Sequence, residues 1–509
     1  MSRVTALLRL EAMETMRAVP ITEYRHRRLS PRPLVVVPLS MAGEAGAPLA
    51  AIVGQARHAP TLLIVEQPRD RVQRFDFTAD LGREVMGHIN SCRIDRRDKP
   101  KTRGEAQSFY TDAPQILVPN SGGIGFLATL GRACRFRETS GDYPVPAGVP
   151  EFGRWLTFLA DSAERAGTSM LMAVTDLLAE HWATGQSGLE DRNLASLMAW
   201  IEPPTGTSVE QAILDAEDPI LWPPAGPVTD PNFDTKDLAP ALRDLDVARA
   251  HGDPTALAAA RTELRELLSG QINPTWRMMW QAITLLRGIP EAPRVERRFT
   301  NDREQFTYFS DLQDSPDSRP QPARDGAVAA ARRLDRLERA LADFEAATAM
   351  DDKFVLADRR SVGEAFAGEV IDTEPDRTVL SDKNRATLRP LVTLRTLDPT
   401  RLADGTELIS PHMPDGHKAT IISTEWEGSA SIVTIEVNGG MGTPAKPNRS
   451  AVPDIGRRIA YLPNPGWRPR AVFPDRADIP WTHTDARAPD TDDGVIPDDT
   501  HAEEWGDDD

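Results

Sequence analysis

Between Gly363 and Tyr461 the apolar residues stop recurring every three to four positions and start alternating. Val433, Ile435 and Val437 fall on one face, Thr434 and Glu436 on the other, as in a strand with one buried side. The same reading gives strands at Phe366–Thr373, Arg377–Leu380, Leu391–Thr396, Glu407–Ile409, Ala419–Trp426 and Arg457–Tyr461. Turn-forming stretches such as Glu374–Arg377 and Pro414–Gly416 separate them, with Pro presetting φ and Asp able to bond its own backbone. Short strands at this spacing predict one or two small β-barrels of OB or SH3-like type over residues 361–475.

The rest of the chain reads differently. Apolar runs at Pro33–Pro38, Thr61–Glu66 and Gln115–Val118 suit buried strands. Helical stripes at Phe75–Asn90 and Ile124–Cys134 follow, while Met41–Gln55 fits hairpin, loop or short helix. This alternation predicts an α/β domain over residues 1–145. From Glu151 the spacing is helical, through Phe152–Leu159, Ser169–Trp182 and Leu189–Ile201. Ser208–Gln211 is a capping box. A hairpin of Leu238–Ala250 and Pro254–Leu268 and a helix at Trp276–Leu286 complete a predicted helical domain, 146–315. Asn301–Pro322 is polar and reads as irregular. Ala327–Ala347 carries two seven-residue repeats, Ala327/Leu334/Leu341 and Ala330/Leu337/Phe344, flanked by Arg332, Arg333, Arg336 and Arg339. It predicts a connecting amphipathic helix within 316–360. Residues 476–509 are acidic and nearly devoid of apolar groups, the composition of a disordered tail. The expected class is multidomain α+β.

Charge narrows the partners. The formal net charge is −18, which argues against a protein that coats nucleic acid. Much of it is local: Asp475–Asp509 holds thirteen Asp/Glu against two Arg. Basic surfaces therefore remain available elsewhere. Arg96, Arg97, Lys99 and Lys101 lie in a basic loop, Arg93–Arg103. In the β region Lys383, Arg385, Arg389, Arg395 and Lys418 accompany Trp426, the residue types that track a phosphate backbone and stack a base. These ten residues are the expected nucleic-acid contacts. The pattern resembles the accessory β-barrels appended to helicases and translation proteins, a likeness of fold alone.

Signals for chemistry are weak. Ser121, Gly122, Gly123 and Gly125 form a glycine-rich strand-to-helix turn, a place where phosphates dock, yet without the Lys and Ser/Thr of a Walker loop. Packing of a helix on a sheet explains such a turn equally. His412, Asp415 and His417 are a sparse candidate metal group lacking a fourth ligand, so no metal and no cofactor is expected. His181, beside Trp182, has no polar partner in sequence to make it a base. No apolar run reaches membrane-spanning length, no signal peptide is evident, and Cys92 and Cys134 fit reduced thiols, so a cytoplasmic protein is expected. The expected function is a non-catalytic accessory subunit. It would bind a nucleic-acid-processing ATPase, helicase or nuclease, in a defence or repair complex, and single-stranded nucleic acid through its β module. An enzyme with a phosphate site at 120–125 and a purely protein-binding scaffold are the alternatives.

Overall fold

The computed structural model describes residues 3–99, 107–380, 384–467 and 471–475, apart from positions 45, 225, 317, 319 and 323. The protein is mixed α+β. Its first sheet contains β1 (Leu34–Ser40), β2 (Pro48–Gly54), β3 (Thr61–Ile64), β4 (Ile116–Val118) and β5 (Leu171–Ala173), in the order β3-β2-β1-β4-β5. Pairing is antiparallel from β3 to β1 and parallel from β1 to β5. Every residue of β1 is buried. Alternation sends Val35, Val37 and Leu39 into one core and Leu34 and Val36 into the other.

The flanking helices are, in chain order, α1 (Arg71–Ser91), α2 (Ser121–Cys134), α3 (Val149–Ala163), α4 (Leu194–Ile201), α5 (Ala239–His251), α6 (Pro254–Gly288) and α7 (Val295–Asp314). Phe77 and Leu81 of α1, Leu127 of α2, Trp155 of α3 and Phe306 of α7 share one core. Leu197 of α4, Leu245 of α5 and Leu268 and Met279 of α6 share the other. Both cores therefore mix residues from either side of position 145. The strands expected in 1–145 and the helices expected in 146–315 make one three-layered body, because each sheet face is covered by helices that come later in the chain.

Three local readings are corrected. Leu171–Ala173 is a strand, not helix, because Met170–Val174 is apolar on every side and the parallel partner β4 decides its state. Val295–Asp314 is helical rather than irregular, since Phe299, Phe306 and Phe309 bury one stripe while the remaining polar surface faces water. The break expected between Leu268 and Trp276 is absent; α6 runs through Pro274, with Ile272, Thr275 and Trp276 buried around it. Pro costs one backbone hydrogen bond there, less than the burial on either side returns.

Two further helices, α8 (Ala327–Asp351) and α9 (Lys353–Val362), lead to the β region. There β6 (Phe366–Glu374), β7 (Leu391–Thr396), β8 (Glu407–Ile409), β9 (Lys418–Glu427), β10 (Ala430–Gly439) and β11 (Arg458–Pro463) close a ring in the order β6-β7-β10-β9-β8-β11. An OB fold has five strands, so this six-stranded ring differs from one. Its interior is filled by Phe366, Val392, Leu394, Val433, Ile435 and Tyr461, all from this region. Ala367, Ala460 and Leu462 on its outer side meet Ala346 and Ala349 of α8. The helix thus packs on the body through Phe344, whose ring lies against Gly167, and on the barrel one turn later. Asp351 pairs with Arg294 and Arg298 of the body. Asp352 caps α9 at Phe354 N and accepts from Glu23 N and Tyr24 N. Among the described residues no helix is long and apolar enough to cross a membrane.

Candidate functional site, an arginine-lined cleft

The strand register decides what the β region's cations can do. Read across the outer face, one row runs Arg458, Glu369, Arg395, Ile432, Glu425. Asp372, Glu374 and Glu436 occupy the next rows. Arg395 therefore has Glu369 directly opposite it on the neighbouring strand, which lowers the local positive charge although the two form no ion pair. Arg389 lies 3.6 Å from Glu436, which also takes Arg377 at 2.7 Å. Lys418 pairs with Glu407 at 2.9 Å. Arg385 also has a partner, and Lys383 falls outside the described residues. Trp426 stands exposed at the tip of the β9–β10 hairpin, opposite Ser431. The expected contacts are thus spread over a face with more carboxylates than cations, because side chains three segments apart in sequence become lateral neighbours.

The basic loop is a hairpin, Arg96–Lys99 with Gln107–Tyr110. Arg93 pairs with Asp314 and Arg96 with Asp311 of α7. The Arg96 guanidinium also lies 4.1 Å from the Tyr110 ring centroid. These cations fasten the hairpin to the body. Arg97 is exposed opposite Phe109. The Lys99 side chain and Lys101 lie outside the described residues.

The glycine-rich turn is a packing joint. Asn120 caps α2 through Gly123 N and donates to Gly226 O at 2.9 Å. A Cβ on Gly122 would stand 2.7 Å from Pro227, and one on Gly123 would stand 2.8 Å from Val118. The segment through Pro227 also takes Ser40 N at the end of β1, filling the crevice at the carboxyl ends of the parallel strands. Ser121 and Gly125 are exposed. The candidate metal residues do not converge. His412 Nδ1 accepts from Ala460 N, His417 is buried beside the Tyr461 hydroxyl, and Asp415 is exposed. No group of three potential ligands occurs among the described residues. Burial holds the His417 ring at a pKa of about 4, and that of His181, whose Nδ1 meets the Thr22 hydroxyl, at about 3. Burial likewise raises Cys92 to about 11 and Cys134 to about 12, which makes both poor nucleophiles.

Three segments do converge elsewhere. A cleft of about 750 Å³ opens between α2, α3 and the start of α8. Gly131 and Gly153 set its floor by letting α2 and α3 touch backbone to backbone. Arg135 reaches from α2 toward Thr157 and Pro322 O. Arg165 turns to Asp302, whose buried carboxylate also accepts from Ser169 N, Ser169 Oγ and Thr168 Oγ1. Arg333 of α8 bridges Asp161 at 3.1 Å and Glu164 at 2.9 Å. Burial raises the Asp161 carboxyl above its ordinary range in spite of that arginine. Arg132 and Arg336 also line the cleft; both are exposed and make no ion pair among the described residues. Phe158 adds an aromatic wall, with one face of its ring stacked on Phe309 at 4.1 Å.

Chemically this is a slot with five arginines, three carboxylates (Asp161, Glu164 and Asp325) gathered on Arg333, and one aromatic ring; Arg132 and Arg336 have no ion-pair partner among the described residues. Guanidinium forks match phosphate and carboxylate oxygens. The sequence showed Arg333 and Arg336 only as flanks of a repeat. Arg132, Arg135 and Arg165 carried no signal, since nothing local says that α2, α3 and α8 meet. No known protein family, no curated protein and no solved structure matches the chain.

Proposed function

We propose that the chain is a non-catalytic accessory protein that binds an anionic polymer in the arginine-lined cleft. In this reading the polymer is single-stranded nucleic acid, held alongside a nucleic-acid-processing partner of helicase or nuclease type. One observation carries it: Arg132 and Arg336 face one cleft beside Phe158 without carboxylate partners among the described residues. Backbone charge and an aromatic face are the two features that single strands require. The barrel, with its cations offset by Glu369, Glu407 and Glu436, serves as a docking module for protein.

The test is anisotropy of a fluorescein-labelled oligo-dT against the full chain over a salt series. Binding is expected to weaken with salt, and Arg132→Glu with Arg336→Glu to abolish it. Replacing both by Gln is expected to lower the logarithmic salt slope by about 1.4, two contacts at ~0.7 each. Loss of binding on reversing Arg395 and Lys418, with the cleft variants unaffected, moves the site back to the barrel.

A scaffold that binds only protein is the second reading. Leu334 and Leu341 are 57% and 47% exposed on the outward seam of α8, while Leu337 and Phe344 face inward. Exposed apolar groups seven apart suit a helical partner. Sedimentation of the wild type against Leu334→Asp with Leu341→Asp reads self-association through that seam.

A further inference from the structure

The described chain does not end at the barrel. Pro465–Trp467 returns along α8, and Phe473 lies with its ring 5.8 Å from the Arg332 guanidinium. Arg332 precedes Arg333 and Arg336, both of which line the cleft. The last described residue, Asp475, follows two positions after Phe473, on the side of α8 that carries Arg332. From there 34 residues continue to Asp509, with twelve Asp/Glu against Arg476 and Arg487. The densest charge is at the far end, Asp498, Asp499 and Glu503–Asp509, where Trp505 stands among the acids.

We infer that the acidic C-terminal segment 476–509 is an intramolecular ligand of the arginine-lined cleft and competes with the anionic polymer for Arg132 and Arg336. This rests on the cleft's assignment as an anion site and names its resident occupant. Two arguments select this occupant. Its charge is opposite to that of the two uncompensated guanidiniums. Its point of departure lies against α8 through the Arg332–Phe473 contact, four residues before Arg336 in that helix. Distance is no obstacle, since 34 residues reach up to ~115 Å when extended. Tethering supplies an effective concentration on the order of 1 mM. A segment that binds in trans at ~100 µM then weakens a competing ligand about 10-fold. The device makes the chain selective: an isolated anion is excluded, while a polymer with many phosphates displaces the segment.

The experiment keeps the full chain. In one variant Asp498, Asp499, Asp507, Asp508 and Asp509 become Asn, and Glu503 and Glu504 become Gln. Oligo-dT anisotropy compares it with the wild type, and a fluorescein-labelled peptide of residues 476–509 is titrated into it directly. The expected results are ~10-fold tighter oligonucleotide binding by the neutralised chain, peptide binding that competes with the oligonucleotide, and loss of peptide binding in Arg132→Glu with Arg336→Glu. Peptide binding untouched by those reversals overturns the inference, as does equal oligonucleotide affinity with and without the acids. If the peptide binds through Arg132 and Arg336 but the oligonucleotide does not bind the neutralised chain, the nucleic-acid reading fails and the intramolecular contact stands. Circular dichroism of each variant separates loss of binding from loss of fold.

Discussion

Asp302 and Asp352 are both buried, and each is held by donors from distant segments. Asp302 is the more enclosed, with its carboxylate shared among Arg165, Thr168 and Ser169. Asp302→Ala leaves Arg165 and the Ser169 amide unmatched and is expected to cost about 3–5 kcal/mol, read by chemical denaturation. A loss under 1 kcal/mol would show that water replaces the carboxylate. The buried imidazoles set a pH dependence. Burial lowers His417 to about 4 and His181 to about 3, so between pH 6.5 and those values the unfolded chain binds protons that the folded chain refuses. Stability is whole above pH 6.5 and falls as the solution is acidified, by on the order of 3 kcal/mol for His417 alone. Asp352 adds to this at lower pH. Burial opposes its charge, yet the His26 ring 3.5 Å away and the backbone donors of Glu23 and Phe354 hold it below the usual carboxylate range, and that contribution is lost as it protonates. Urea midpoints at pH 7.5, 6 and 5 measure the slope, and His417→Gln is expected to flatten it. A midpoint that stays constant over this range contradicts the burial of both rings.

At the scale of elements, close approach matters more than propensity. A Cβ on Gly153 would lie 2.5 Å from Arg135 N, and one on Gly131 would lie 2.9 Å from Thr157 N. Gly153→Ala must push α3 from α2 and is expected to cost about 1–3 kcal/mol while distorting the cleft floor. Its melting temperature should fall, whereas Gly87→Ala, with nothing within 4 Å, should hold or gain stability. Elements with strong local grammar were legible. The strands of the β region follow their alternation within a residue or two, and Ser208 caps its helix through Gln211 N as the box implies. Elements whose state depends on a neighbour were not. Leu171–Ala173 has no alternation to show, and Val295–Asp314 hides three phenylalanines among charges.

For the whole molecule, the cores define what can fold alone. The barrel's interior comes entirely from residues 366–461. The body's two cores join β1 and β2 to helices as distant as α6 and α7. A fragment of residues 361–475 is expected to unfold cooperatively, and one of residues 1–145 is expected to show no transition by circular dichroism. A cooperative 1–145 fragment contradicts the shared cores. The arginine cleft is a property of this same scale, since its walls come from α2, α3 and α8. By itself the sequence determined the places where the backbone alternates, caps and turns, because those signals rest on spacing within one segment. It also determined how much charge the chain carries. Tertiary structure alone decided which arginine meets which acid. Lateral strand neighbours and crossing helices are separated by tens of residues, so whether Arg395 faces Glu369 or Arg336 faces the cleft is written in register and packing.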